Sequence, residues 1–78
     1  MEQTTFRTKD LGEASALLCS RIPLQTVETV DDKCWFVFVP FDQATAVIDQ
    51  YWQHKLTVDA QDYFHALNRL KQLVFERK

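Results

Sequence analysis

The chain has 78 residues, of which 46% are hydrophobic and 13% aromatic, with one Gly, two Pro and a formal net charge of −2. This length predicts a single small domain over residues 1–78, and the apolar content is too high for a disordered tail. The charge gives no general attraction to nucleic acid or to an anionic membrane, and no apolar run is long enough to cross a bilayer. The polar segment 1–5 lacks the features of a signal peptide, so we expect a cytoplasmic protein.

The chain begins with a predicted strand and a predicted helix. Residues 4–8 are expected to form a short strand with Phe6 pointing inward. A helix over 11–19 follows, and Asp10 with Glu13 three residues later matches a capping box at its start. We therefore expect either Thr8 or Asp10 to start the first helix.

A hairpin and a second helix come next. Residues 24–30 are rich in Thr and Val and predict a strand, 31–33 predict its turn, and 34–39 predict the returning strand. Asp42 is expected to be the N-cap of the second helix, because Asp is among the preferred residues at that position. A polar connection leads from this helix to the last part of the chain.

The last third of the chain predicts a long amphipathic helix over 60–75. Asp59 is a good N-cap because its carboxylate can accept the free amide protons of the first turn. Val58 before this cap and Tyr63 after it match a hydrophobic staple. The apolar residues that recur at helical spacing are Tyr63, Leu67, Leu70 and Val74, with Phe64 alongside.

These elements predict an α+β fold with the order βαββαα. A right-handed crossover makes the first two strands parallel, and the third strand is apolar on both faces, as expected for a central strand. We therefore predict a three-stranded sheet in the spatial order 2-3-1 with the helices on one face. Phe36 and Phe38 are expected to face the helices together with Phe6. The other face is then expected to carry Trp35, Val37 and Val39.

An uncovered sheet face with apolar side chains indicates an interaction surface. We expect a non-enzymatic protein-interaction module that self-associates as a homodimer, or binds another protein, through this face or a sheet edge. Aromatic anchors commonly dominate such interfaces, which favours Trp35 as the anchor with Val37 and Val39 beside it. The alternative is that the third helix or the N-terminal residues cover this patch.

Residues that carry catalysis or bind metals occur without the spacing that those functions need. Cys19, Cys34, His54 and His65 contain no closely spaced ligand pair, so we expect no zinc site and reduced thiols. The single Gly excludes a glycine-rich phosphate loop. We therefore expect no enzymatic activity, no metal and no cofactor. A Cys19 or Cys34 nucleophile is the lowest-ranked alternative.

Single-stranded nucleic acid is a second possible partner of the sheet face. Trp35 could stack unpaired bases, as aromatic residues do in sheet-based RNA binders. The basic residues are scattered, however, and Glu28 lies near the acidic turn Asp31-Asp32. Because backbone binding needs a positive groove, this partner is less favoured than a protein.

One pattern that extends over most of the chain resembles a known family. It consists of Tyr51-Trp52, Leu56, Val58-Asp59, Tyr63-Phe64, Ala66-Leu67 and Leu70-Lys71, with Phe6-Arg7-Thr8-Lys9-Asp10-Leu11 and Phe36-Val37-Phe38 earlier in the chain. It resembles an uncharacterised family of small bacterial and phage proteins, a domain of unknown function. The resemblance implies an accessory factor of a phage or mobile element, such as an inhibitor of a host protein, and it assigns no active site. In that family a Gly usually follows the first helix, where this chain has Ser20-Arg21.

Overall fold

The computed structural model describes residues 4–76 and has the predicted order of elements. They are β1 (Phe6–Thr8), α1 (Leu11–Cys19), β2 (Leu24–Val30), β3 (Lys33–Phe38), α2 (Phe41–Trp52) and α3 (Ala60–Glu76). The α+β class is thus confirmed. The predicted strand 4–8 is shortened by two residues, because Thr4 and Thr5 precede β1, and the predicted strand 34–39 is shifted by one residue to Lys33–Phe38.

The sheet has the order β1-β3-β2, which confirms the predicted order 2-3-1. Both outer strands run antiparallel to β3, with Phe6 and Leu24 opposite Phe38 and Val27 opposite Phe36. A register irregularity between Leu24 and Thr26 brings both Leu24 and Val27 to the side of the core, although an odd spacing separates them. The turn holds two residues with positive φ, Asp31-Asp32. Lys33, predicted in the turn, is the first residue of β3.

All three helices contribute to the core on one face of the sheet. Phe36 and Phe38 of β3 are almost completely buried against Leu17 of α1, Ala44 of α2 and Leu70 of α3. The molecule measures 35 × 33 × 17 Å. The short dimension leaves room for one sheet and one layer of helices, since each occupies roughly 10 Å. The face of the sheet away from the helices is therefore open.

The start of α1 is capped by a short relay of hydrogen bonds. Asp10 is the N-cap, and its Oδ1 accepts from the Glu13 N–H at 2.9 Å, as predicted. In a full capping box the Glu13 side chain would accept from the Asp10 N–H. Here Thr8 accepts that hydrogen bond instead. The Asp10 N–H donates to Thr8 Oγ1 at 3.1 Å, and the Thr8 hydroxyl donates to Glu13 Oε1 at 2.7 Å. The end of β1 and the start of α1 are thereby held together.

The end of α1 adopts a Schellman motif without glycine. The Arg21 N–H donates to the Leu18 carbonyl and the Ile22 N–H to the Leu17 carbonyl, both at 3.0 Å. Arg21 has φ 63°, a left-handed conformation that favours Gly. His54, with φ 61°, occupies the same position after α2. The turn thus keeps a geometry suited to glycine while the residue is Arg.

Asp42 is not the N-cap of α2, which corrects the sequence-based prediction. The N-cap is Pro40, which makes no side-chain cap, and Asp42 lies in the first turn, where its Oδ1 accepts from the Gln43 N–H. The helix can begin this early because the Phe41 N–H donates to the Thr4 carbonyl at 3.0 Å. A backbone carbonyl from the N-terminal segment thus replaces a side-chain cap. The predicted Asp59 cap of α3 is confirmed by its bond to the Asp62 N–H at 3.0 Å.

Candidate functional site

The sheet face away from the helices carries two of the three proposed interaction residues. Trp35 and Val37 alternate along β3 with Phe36 and Phe38, which belong to the core, so they lie on the opposite face. Trp35 is half-buried and Val37 is only 4% exposed. Val39 follows the end of β3, where its N–H donates to the Pro23 carbonyl. The structure therefore brings Trp35 and Val37 together and leaves Val39 outside the strand.

Val37 is buried without a helix above it because side chains from both outer strands close over β3. Arg7 of β1 is opposite Val37, and Glu28 of β2 is opposite Trp35. Arg7 Nη2 and Glu28 Oε1 are 3.0 Å apart, so this ion pair must extend diagonally across the central strand. The aliphatic part of an Arg side chain can cover apolar surface while its charged end remains in water.

Two cationic side chains lie close to the ring of Trp35. The centroid of its indole ring is 5.4 Å from Arg7 Cζ and 5.6 Å from Lys9 Nζ, both within the range of cation–π contacts. We call Arg7, Lys9, Glu28, Trp35 and Val37 the sheet patch. Sequence reasoning missed Arg7 and Lys9, because only the β1–β3 register shows that they lie beside Trp35.

The outer edge of β2 is the second feature of the sheet that could bind a partner. β2 has seven residues and pairs with β3 alone, so its other edge has no strand partner among residues 4–76. In a hairpin with a two-residue loop, the residues that flank the loop exchange both hydrogen bonds. Val30 and Glu28 therefore bond toward β3, whereas the N–H groups of Val27 and Thr29 point outward.

The most exposed large apolar side chains lie on the helices. Phe75 is 81% exposed, Phe64 60% and Trp52 58%. Sequence reasoning placed Phe64 alongside the inward stripe of α3, whereas the structure places it on the solvent side. The eleven-residue separation of Phe64 and Phe75, which is close to three helical turns, was the available signal.

The three helices meet around Gly12, the only glycine of the chain. A Cβ at this position would lie 2.5 Å from the Tyr51 hydroxyl oxygen, so any larger residue would force the end of the Tyr51 side chain to shift. The Tyr63 hydroxyl donates to the Gly12 carbonyl at 3.3 Å, and Trp52 Nε1 donates to Glu13 Oε2 at 2.7 Å. Burial, followed by the neighbouring Tyr51, raises the pKa of Tyr63. These contacts connect α1 with both other helices and have a structural role.

Cys19 does not have the environment of an activated nucleophile. Burial raises the pKa of the Cys19 thiol, and the nearby carboxylates of Asp62 and Asp59 raise it further. Catalytic thiols instead have positively charged surroundings that lower the pKa. Cys34, like Cys19, is a half-buried free thiol. Within residues 4–76, no group of three or more His, Cys, Asp or Glu residues is arranged to hold a metal ion.

Two shallow cavities accompany these surfaces. One of about 340 Å³ lies where the hairpin meets α1 and α3, and its lining includes Lys9, Lys33 and Phe36. The other, of about 280 Å³, lies between the end of α1 and α3 and includes Cys19 and His65. The lining of the first cavity also includes Cys34, and that of the second also includes Asp62.

Comparison of the chain with models of protein families, with curated proteins and with solved structures gives no match. The membership implied by the resemblance to small bacterial and phage proteins therefore stays a prediction. No helix of the described part, 4–76, has the length and apolar character needed to span a bilayer. The fold and its surfaces define a small open-faced α+β domain with a free sheet edge and an exposed aromatic stripe on its longest helix.

Proposed function

We propose that this domain is a cytoplasmic, non-enzymatic protein-interaction module that self-associates through the free edge of β2. The observation that carries the proposal is the length of that edge: β2 has seven residues and, among residues 4–76, pairs with a strand on one side only. Unpaired edges are templates for another strand, and proteins protect them with Pro, charged side chains, β-bulges or a very short strand. β2 has an irregular register between Leu24 and Thr26 and carries Glu28, but residues 26–30 pair regularly with β3 and contain neither Pro nor Lys. The other edge strand, β1, has only three residues.

Antiparallel pairing of β2 with β2 of a second copy would form a continuous six-stranded sheet from the two three-stranded sheets. Homodimers with two-fold symmetry are the commonest soluble oligomers. Two Glu28 side chains directly opposite each other would repel. A two-fold axis that passes through Val27 or Thr29 avoids this arrangement. Both sheet patches would then lie on the same side of the extended sheet, beside the interface.

Amide hydrogen exchange at single residues tests this pairing directly. The outward N–H groups of Val27 and Thr29 should become protected as protein concentration rises, because each gains a carbonyl partner. The inward N–H groups of Glu28 and Val30 are the internal control, since β3 protects them at every concentration. Exchange at Val27 and Thr29 that is equally fast in dilute and concentrated protein contradicts the proposal.

A substitution at Thr29 gives an independent test. Thr29→Pro removes the outward N–H without removing a hydrogen bond to β3, whereas Thr29→Val keeps that N–H. In light scattering over a dilution series, the Val variant should associate like the unmodified protein and the Pro variant should lose this association. Equal association of folded Pro and Val variants would show that the edge is not the interface.

The raised pKa of the Cys19 thiol supports the non-enzymatic part of the proposal. A Cys nucleophile needs a lowered pKa, and burial and two carboxylates shift the pKa of Cys19 in the opposite direction. We therefore expect Cys19 in the folded protein to react with iodoacetamide more slowly than in the urea-unfolded chain at pH 8. Faster alkylation in the folded protein would reopen the nucleophile hypothesis.

A phage or mobile-element role has no support beyond the sequence resemblance.

Single-stranded nucleic acid is the second candidate partner, and the cations beside Trp35 favour it. Arg7 and Lys9 could contact phosphates while the indole stacks on a base. Arg7, however, is already paired with Glu28, and both cations occupy space next to the ring. This arrangement leaves less of the ring free, so we rank nucleic acid below a protein partner.

Fluorescence titration separates these two partners. The chain has two Trp residues, so Trp52→Phe leaves Trp35 as the only indole reporter. Short oligonucleotides should quench this fluorescence in a salt-dependent manner if the sheet patch binds them. A Trp35→Phe variant is the control for quenching at Trp52. The absence of salt-sensitive quenching at Trp35 would remove the nucleic-acid candidate.

A further inference from the structure

The cavity of about 340 Å³ lies where β1 stops short of the end of β3. The register pairs Thr8, the last residue of β1, with Phe36, so residues 33–35 of β3 extend beyond β1. Phe36 forms part of the cavity wall, together with Leu11 of α1 and Val74 of α3. Sites for small molecules have volumes of roughly 300–1,000 Å³ and mostly apolar walls with a few polar groups. This cavity has the size and the apolar wall of such a site.

Cys34 presents unpaired backbone at this end of the sheet. Because Lys33 bonds to β2 directly after the two-residue loop, the alternation along β3 directs the N–H of Cys34 away from β2. Asp10 would lie opposite Cys34 if β1 continued in the same register. Instead its N–H donates to Thr8 Oγ1 and its carbonyl accepts from the Ala14 N–H, because α1 begins there. The N–H of Cys34, a residue of the cavity lining, therefore has no strand partner on this side within residues 4–76.

The charged residues of the lining favour an anion with a single charge. They are two lysines and one aspartate, Lys9, Lys33 and Asp32, which gives a net charge of +1. This charge matches a carboxylate better than a phosphate monoester, which carries about −1.5 to −2 at neutral pH. Lys9 has its Nζ 5.6 Å from the centroid of the Trp35 ring, whereas Lys33 forms no ion pair within residues 4–76. Lys33 is therefore the cation more free to meet a ligand.

We infer that this cavity binds a small molecule with one carboxylate on an apolar chain, such as a short fatty acid. The chain would lie against Leu11, Phe36 and Val74. The carboxylate would accept from the Cys34 N–H and from the ammonium group of Lys33, which has a flexible four-carbon stem. At about 30 Å³ for each atom of the size of a water molecule, the cavity holds about eleven non-hydrogen atoms, enough for an acid of about six to eight carbons.

This site differs from the surface proposed for self-association. It lies on the β1 side of β3, whereas the free edge of β2 lies on the other side of the sheet. Binding of the carboxylate therefore does not require association through β2. A ligand of this size in an open cavity should bind weakly, with a dissociation constant of roughly 1–10 mM.

Three ligands with the same six-carbon chain test the head group. Hexanoate carries the carboxylate, hexanamide is neutral but can bond to both backbone groups of Cys34, and hexylamine is a cation at pH 7. NMR titration at constant ionic strength should show that hexanoate binds about fivefold more tightly than hexanamide and that hexylamine binds most weakly. The amide shifts should centre on residues 33–36. Equal or tighter binding of either other ligand, or no saturable shifts with hexanoate up to about 50 mM, overturns the inference.

Substitution of Lys33 tests the recognition of the carboxylate. Lys33→Met keeps an aliphatic stem and removes the ammonium group, so it should weaken hexanoate binding about threefold and leave hexanamide binding unchanged. Lys71→Met is the matched control, because Lys71 is an exposed lysine of α3 outside the lining, and it should change neither constant. Hexanoate binding that Lys33→Met weakens no more than Lys71→Met overturns the inference.

Alkylation of the thiols locates the ligand without any substitution. At twice its dissociation constant, hexanoate occupies about two thirds of the sites and should slow the reaction of Cys34 with iodoacetamide about threefold. Cys19 lines the other cavity and is the internal control, whose reaction rate should not change. Mass spectrometry of the digested protein measures both rates. Equal slowing at both thiols, or none at Cys34, overturns the inference.

The hexanoate titration and the light-scattering dilution series on the unmodified protein separate this inference from the proposed function. A protein that associates but does not bind hexanoate overturns this inference and leaves the β2 edge. A protein that binds hexanoate but stays a monomer at every concentration supports this inference and contradicts the proposed self-association.

Discussion

The two faces of β3 are both buried, but by different means. Phe38, on the helix side, is completely buried under the helical layer, whereas Val37, on the open side, is 4% exposed with no helix above it. Arg7 and Glu28 from the two flanking strands close over β3 and shield Val37. In a narrow sheet, an open face is therefore not the same as an exposed apolar patch.

The helical layer shows the reverse situation. α3 is part of the packed layer, yet it carries Phe64 and Phe75, two of the most exposed large apolar residues of the described chain. In the sheet patch the aromatic ring lies beside cations and an ion pair, whereas Phe64 and Phe75 of α3 are mostly exposed to solvent. Apolar association is therefore easier for the helix than for the sheet face.

The largest predicted effect is on the covered face. Phe38→Ala should lower the free energy of unfolding by about 3–5 kcal/mol, because it leaves a cavity under the helices. In a domain of 78 residues such a loss is comparable with the whole stability. Urea unfolding followed by circular dichroism measures it. Phe75→Ala is the control and should change stability by less than about 0.5 kcal/mol. Similar losses in both variants would contradict the assignment of faces.

The open face should also contribute to stability. Val37→Ala should cost about 1.5 kcal/mol, at roughly 0.8 kcal/mol for each buried methyl-sized group. Val30→Ala is the matched control, because Val30 lies on the neighbouring strand with 46% of its surface exposed. Chemical denaturation should show a loss for Val30→Ala below about 0.5 kcal/mol. If the two variants lose the same amount, side chains do not close over the central strand.

The contact of Gly12 with Tyr51 tests how the covering layer is held together. Gly12→Ala should cost about 1 kcal/mol net, because crowding against the Tyr51 hydroxyl outweighs the better helix propensity of Ala. In a Tyr51→Phe background the hydroxyl is absent, and the same change should become neutral or stabilising. A double-mutant cycle measures this coupling. Equal effects in both backgrounds would exclude the hydroxyl as the cause.

Arg21, in the turn between α1 and β2, has a left-handed backbone conformation that is unfavourable for a residue other than Gly. Arg21→Gly should stabilise the protein by about 0.5–1 kcal/mol, because Arg21 has φ 63° and Gly adopts that conformation without steric cost. Arg69→Gly, at an exposed position inside α3, is the control and should destabilise by about 1 kcal/mol. Thermal unfolding measures both. Destabilisation by Arg21→Gly would mean that the arginine side chain matters more than the backbone.

The smallest predicted effect is the coupling across the open face. Arg7 and Glu28 are each about half exposed, so their ion pair should contribute only about 0.2–1 kcal/mol. A double-mutant cycle with Arg7→Met and Glu28→Gln isolates this coupling, since Met retains much of the aliphatic cover. The coupling should decrease in 0.5 M salt. If the Arg7–Glu28 coupling energy is zero at low salt, Val37 is shielded by the aliphatic part of the Arg7 side chain and not by the ion pair.

Part of the candidate surface could be predicted from sequence. The period of two along β3 identified Trp35 and Val37 as neighbours on the side opposite Phe36 and Phe38. Their low exposure could not be predicted, because it depends on which residues of β1 and β2 lie opposite them. The stripe on α3 was visible as an eleven-residue spacing. Which helical faces are covered depends on how the helices pack together.

The sequence by itself determined the order of the elements, most of their ends and the Asp10 and Asp59 caps. These features depend on residues within about one helical turn of each other, so local spacing is sufficient. Tertiary structure alone decided the early start of α2, where the Phe41 N–H donates to the Thr4 carbonyl. It also decided the closure of Arg7 over Val37 and the exposure of Phe64. Each of these outcomes depends on how segments distant in the sequence pack together, so the spacing of residues within one segment cannot predict it.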